Sequence, residues 1–172
     1  MDLTPQIPNH LKGILADATI GSSVCGHIQC PCGNRQLELF CIGEVLIEQK
    51  LRYLTSIEFD SQFHYQWIFD CPECSRQEVI FDRNRHGYDG HIYQSNLGLN
   101  PPRPERWLWQ CEGCNQSKYL VSVRAQLDVD ACENAEELFS AENWFDGYEC
   151  FSLRTKCVNC GSEAEPGFME TA

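Results

Sequence analysis

The chain has 172 residues, twelve of them cysteine, and a formal charge of −12. That length suffices for one compact domain or two small ones, and no apolar run approaches the ~20 residues of a membrane span. An acidic chain is repelled by phosphate backbones, so nucleic acid is an unfavourable partner. The opening MDLTPQIPNH has no basic or apolar leader region, which points to the cytoplasm. Thiols are kept reduced there, so clustered cysteines read first as metal ligands.

In chain order, residues 1–24 form an N-terminal segment. Val24-Cys25-Gly26-His27 follows, then the first close pair, Cys30-Pro31-Cys32-Gly33. Gln36 to Ile42 alternates and is rich in β-forming residues, which predicts a strand. Residues 43–58 mix helix and hairpin signals. Tyr65 to Phe69 reads as a second strand, leading into Cys71-Pro72-Glu73-Cys74. Arg76 to Asp82 reads as a third strand.

The next stretch, Arg83 to His91, holds two histidines, an aspartate and two glycines. Asp82, His86, Asp89 and His91 are the one plausible acid–base set. A polar turn built on Gly87 and Gly90 explains the same composition without chemistry. Residues 95–105 contain Pro101, Pro102 and Pro104, which block a helix or central strand and mark a linker.

The second half opens with Trp107 and Trp109, spaced to face one side of a strand, for core packing or the seam between the halves. Cys111-Glu112-Gly113-Cys114 and a strand over Lys118 to Arg124 follow. From Asp128 to Glu149 there are eight acids and no Lys or Arg. Residues 133–142 within that run predict a short helix; the run itself is a solvated face or an acidic docking surface. A strand over Glu149 to Arg154 leads to Cys157-Val158-Asn159-Cys160.

Strand, loop, strand and knuckle therefore occur twice, with Gln29-Cys30 matching Gln110-Cys111. The pattern predicts a duplicated unit. It divides the chain into 1–24, a first unit 25–94, a linker 95–105, a second unit 106–165 with an acidic helical insertion, and a tail 166–172. The expected fold is mostly β with small α content.

Two cysteines separated by two residues can aim both sulfurs at one point, and two such turns complete a tetrahedral Zn²⁺ site. The predicted ligands are Cys30, Cys32, Cys71 and Cys74 in the first site, and Cys111, Cys114, Cys157 and Cys160 in the second. Two structural Zn²⁺ ions are expected, taking the formal charge to about −16. The first pair is one residue short of a standard knuckle, so Cys25 or His27 stands as an alternative ligand. Cys30 and Cys32 are preferred because Cys30 aligns with Cys111. A redox pair would need a single C-x-x-C opening a helix in a βαβ pattern, which is not the arrangement here. Cys25, Cys41, Cys132 and Cys150 are left over, and each reads as a buried small hydrophobe.

Cys30-x-Cys32-Gly33, Cys71-Pro72-x-Cys74 and Phe81-Asp82 with His86-Gly87-Tyr88 resemble the elements of zinc-ribbon proteins, over roughly residues 25–92. The second half resembles a zinc ribbon through Cys111, Cys114, Cys157 and Cys160. The resemblance implies a tandem pair of zinc ribbons acting as a binding scaffold. No nucleophile elbow, phosphate loop or metalloprotease motif accompanies it. The expectation is a non-enzymatic, zinc-stabilised acidic protein that binds a basic protein partner, as an immunity or antitoxin-type inhibitor of a basic toxin would. A nucleic-acid-associated or transcription accessory role, and a metal-dependent enzyme using the 82–91 loop, are the alternatives.

Overall fold

The computed structural model describes residues 7–42, 66–82, 106–126 and 150–170. These residues form nine strands and no helix. They are β1 (Leu15–Ile20), β2 (Ser23–Ile28), β3 (Leu37–Ile42), β4 (Gln66–Asp70), β5 (Gln77–Asp82), β6 (Arg106–Leu108), β7 (Lys118–Gln126), β8 (Cys150–Cys157) and β9 (Glu163–Glu170). The expected helix at 133–142, the ambiguous stretch 43–58, the 83–91 loop and the 95–105 linker lie outside the described residues.

Period-two alternation sets which side of each strand is buried. In β7, Tyr119, Val121, Val123 and Ala125 are buried, while Lys118, Leu120 and Arg124 are exposed. In β3, Leu37, Leu39 and Cys41 point into the same core. Overlapping turns after Pro8, closed by Leu11 N–H to Pro8 O at 2.9 Å and Ile14 N–H to Leu11 O at 3.0 Å, bring Leu11 and Ile14 into that core.

All nine strands join in one sheet, and every pairing is antiparallel. The sheet curls. Phe81 of β5 stacks on Phe151 of β8 with ring centroids 4.3 Å apart and planes 16° apart, although these strands are not neighbours in the sheet. Trp67 packs edge-on against Trp109 at 5.9 Å. Trp109 thus packs against the core as expected, and it joins residues from either side of the linker.

The pairings repeat in register. β3 and β4 form a hairpin in which Glu38 faces Asp70 and Ile42 faces Gln66. β7 and β8 do the same with Leu120 facing Lys156 and Arg124 facing Ser152. A third strand follows each, β5 on β4 and β9 on β8. Both of these ladders shift register at the same step, between Trp67 and Ile68 in one and between Leu153 and Thr155 in the other.

The strand that precedes each unit crosses to the other. β2 pairs with β7, placing His27 opposite Ser122 and Cys25 opposite Arg124. β6 pairs with β3, placing Leu108 opposite Phe40 and Arg106 opposite Ile42. These are equivalent positions, so the chain is built as two units related by an approximate two-fold. Strands from both sides of the linker share the sheet, and β1 and β2 bring residues of the N-terminal segment into it. β9 likewise runs through Pro166 and Gly167 into residues that the sequence pattern leaves as tail. Proline is tolerated there because β9 pairs only with β8 and so lies at a sheet edge.

Candidate metal centres

Each tetrad sits at the open end of a strand pair, away from the segment that joins its two strands. In the first, the Cys30–Cys32 turn leads into β3 and the Cys71–Cys74 turn leaves β4. In the second, the Cys111–Cys114 turn leads into β7 and the Cys157–Cys160 turn leaves β8. The hairpin ladder holds its two knuckles side by side, so pairing of the strands assembles the site.

Three knuckles share one hydrogen-bond pattern. The N–H of the first cysteine donates to the carbonyl five residues on: Cys71 to Arg76, Cys111 to Gln116 and Cys157 to Ser162, each at 2.8 Å. The first cysteine's carbonyl accepts from the residue four on: Ser75 at 2.8 Å, Asn115 at 2.7 Å and Gly161 at 2.9 Å. That residue has positive φ every time, 59° at Ser75, 57° at Asn115 and 73° at Gly161. The turn must reverse directly after the second sulfur, and a left-handed residue achieves it.

The short first knuckle is the same turn contracted by one residue. Cys30 N–H donates to Asn34 O at 2.9 Å, Gly33 N–H donates to Cys30 O at 2.8 Å, and Gly33 carries φ 94°. The Gln29 side-chain amide adds a bond to Gly33 O at 2.8 Å. Cys30 and Cys32 therefore present both sulfurs without the usual second intervening residue. Cys25 and His27 lie up the β2 ladder and take no part in the tetrad.

The sulfurs of Cys30, Cys32, Cys71 and Cys74 lie within 4.8 Å of one another, as do those of Cys111, Cys114, Cys157 and Cys160. The short edges are Cys30–Cys74 at 3.5 Å, Cys32–Cys71 at 3.6 Å, and Cys111–Cys160 and Cys114–Cys157 at 3.5 Å. A disulfide needs ~2.05 Å, so these are not disulfides. Four sulfurs ~2.3 Å from a tetrahedral ion are about 3.8 Å apart. The groups thus fit a metal ion with four thiolate ligands.

The electrostatics also suit one. Backbone N–H groups of Arg76, Gln116 and Ser162 reach the sulfurs of Cys74, Cys114 and Cys160. Burial opposes ionisation of Cys71, but the Asn34 amide, 3.5 Å from its sulfur, and the N–H groups of Cys74 and Glu73 outweigh it and hold that thiol down at about 6. The Gln116 N–H, with the Asn159 amide, holds Cys114 at about 6. Burial pushes Cys30 up to about 12. The Ser162 N–H favours the Cys160 thiolate, yet contacts with Cys111 and Cys114 push it up to about 12. A dication in the centre would replace the protons the crowded thiols share.

The remaining cysteines separate by position. Cys41 is buried in the core, as its alternation predicts, and burial pushes its thiol up to about 12. Cys25 and Cys150 are half-buried, and Cys132 lies outside the described residues. Of the acid–base set, only Asp82 is described, as the last residue of β5; His86, Asp89 and His91 fall outside.

The described residues are mostly β, with two four-cysteine groups that suggest a duplicated unit, can hold metal ions and are consistent with zinc-ribbon-like sites. No protein-family model, curated protein or solved structure matches the chain. No helix among the described residues is long and apolar enough to cross a membrane.

Proposed function

We propose that this is a non-enzymatic scaffold, a tandem pair of interlocked zinc ribbons with two structural Zn²⁺ ions, that binds a basic protein partner. The observation that carries the metal reading is the pair of complete four-sulfur groups. A site filled by four protein thiolates has no open position for water or substrate, which is the donor set of structural rather than catalytic zinc. Cys30, Cys32, Cys71 and Cys74 hold one ion, and Cys111, Cys114, Cys157 and Cys160 the other.

The partner reading rests on charge. Among the described residues, acids and bases nearly balance, whereas the segment joining β7 to β8 carries eight acids and no Lys or Arg from Asp128 to Glu149. Such a run steers a cationic surface towards it and speeds association. An inhibitor or immunity protein that covers a basic toxin is one concrete form.

The test is affinity purification from the source cell, followed by association kinetics on the identified partner. A basic partner is expected, whose association rate falls steeply with ionic strength. The triple change Glu136→Gln, Glu137→Gln and Glu142→Gln should slow it further while leaving metal content intact. Salt-insensitive association, or indifference to that change, overturns the electrostatic reading.

A further inference from the structure

The two-fold gives an internal control that a single unit could not. Positions equivalent in register share a backbone, so a difference between their side chains is not demanded by the fold. On the outer side of the second hairpin stand Ser122, Arg124, Ser152, Arg154 and Lys156, with His27 of β2 beside them. The equivalent positions of the first hairpin are Phe40, Ile42, Gln66, Ile68 and Asp70, with Leu108 of β6. One outer face carries three bases and two hydroxyls beside the exposed Leu120; its counterpart is largely apolar apart from Glu38 and Asp70, with Arg106 lying 3.4 Å over Phe40 and paired to Asp70.

The cationic face is hollowed. A trough of about 720 Å³ runs past His27, Arg35, Ser122, Arg154 and Lys156. A second hollow of about 360 Å³ shares His27, Ser122 and Arg154 with it and extends to Arg124 and Ser152. Ser152 is only 6% exposed, yet no hydrogen bond to its hydroxyl is found among the described residues. Its hydroxyl borders the hollow and can donate to an acceptor placed there.

The geometry points to a binding site for a small anionic ligand bearing two or more phosphoryl groups, held by His27, Arg124, Arg154 and Lys156 with Ser122 and Ser152 as hydroxyl donors. Guanidinium and ammonium groups with hydroxyls are the donor set that phosphate oxygens favour. From the level of Arg124–Ser152 to that of Lys156 is four residues of strand, about 13 Å, which is too long for one phosphate. Among the described residues no Phe, Tyr or Trp lines either hollow, so the face lacks the broad stacking platform that a single-stranded nucleic acid uses.

Acids also face the trough. Glu165 pairs with Arg154 at 3.4 Å, Glu163 with Lys156 at 3.1 Å and Asp17 with Arg35 at 2.8 Å. All three are surface pairs, with Arg154 67% and Lys156 55% exposed. Such pairs are weak enough to open for a competing phosphate. Arg124 donates to Gln126 at 3.4 Å, and no carboxylate pairs with it among the described residues.

The test uses the full metal-loaded chain, titrated at low salt with inorganic pyrophosphate and tripolyphosphate by calorimetry and by backbone amide shifts. Metal content is measured before and after, so stripping of metal is not mistaken for binding. Saturable binding is expected, with shifts centred on β7 and β8, weakened about tenfold or more by Arg124→Gln or Arg154→Gln and partly restored by Arg154→Lys. Ser152→Ala should weaken binding without altering salt dependence, and Arg76→Gln, on the other unit, should change nothing. No binding to either probe, binding that ignores both arginine changes, or tighter binding of a single-stranded oligonucleotide than of tripolyphosphate overturns the proposal.

Discussion

Leu37 and Tyr119 face each other where β3 meets β7, and they occupy the same position of the two units. Both are buried, Leu37 at 0% and Tyr119 at 2% exposure. An approximate two-fold passing between antiparallel strands pairs a position with its own equivalent, and this pair is that position. The tyrosine hydroxyl reaches Gln116 O at 3.3 Å, in the third knuckle. Burial, reinforced by the neighbouring cysteines, raises its ionisation above the usual range. The junction therefore couples the centre of the sheet to the second tetrad.

Because β2 lies on β7 and β6 lies on β3, neither unit can leave the sheet without exposing the other. Cys71→Ser and Cys157→Ser each remove a buried ligand from a different tetrad. Each variant should bind one metal equivalent fewer. Structural zinc contributes on the order of 10 kcal/mol to folding in small domains, so each change should also destabilise the whole sheet in one transition. Tryptophan fluorescence from Trp67 and Trp109 and the β-sheet circular dichroism should then coincide during unfolding. Two separate transitions would show independent halves.

The residue after each second cysteine should tolerate substitution according to its backbone. Gly161→Ala should cost about 1–2 kcal/mol, since a left-handed Cβ carries roughly that penalty and no atom crowds the site. Ser75→Gly and Asn115→Gly remove the same Cβ and should gain up to about 1 kcal/mol, less the entropy that glycine adds to the unfolded chain. Chemical denaturation of the metal-loaded proteins reads both signs.

Phe81 and Phe151 close the curled sheet upon itself. Phe81→Ala should destabilise by about 3–5 kcal/mol, as large-to-small aromatic changes in a core do. A double-mutant cycle with Phe151→Ala should return a coupling of about 0.5–1.5 kcal/mol for the stacked pair. Additive effects would mean that the wings do not meet.

Cys41 gives a prediction about alkaline pH. Its thiol is held protonated in the fold up to about 12, against an ordinary value of 9.0. A raised folded value means that stability is fully present below about 9 and is lost as pH climbs towards 12. Cys41→Val should flatten this part of the alkaline stability profile. Cys41 should also resist alkylation at pH 8 in the folded protein, whereas it should react on unfolding.

Acid acts on the tetrads in the opposite sense. Thiols must lose their protons to bind metal, so affinity falls as pH falls. Metal release followed by a colorimetric chelator should track loss of sheet structure on acidification, with both stable at neutral pH. Loss of metal with the sheet left unchanged would separate the fold from its proposed ions.

The local half of this architecture was legible in the sequence. Strand alternation located β3, β4, β5, β7 and β8 within a residue or a few, and cysteine spacing assembled both tetrads. The shortened Cys30–Cys32 turn was ambiguous, because only the hydrogen bond from Gly33 to Cys30 shows that the knuckle survives a deletion. The exchange of β2 and β6 between units was not legible. Pairing of Cys25 with Arg124, or of Phe40 with Leu108, depends on register between distant segments and leaves no local pattern. β1 and β2 were missed for that reason, and β9, which crosses the 165/166 boundary set between the second unit and the tail, was not read as a strand.

Elemental analysis of the purified, folded chain tests the central claim most directly. About two zinc ions per chain are expected, falling to one in Cys71→Ser and in Cys157→Ser. A chain that keeps its sheet with no bound metal, and with all eight tetrad thiols free to react, would contradict the account.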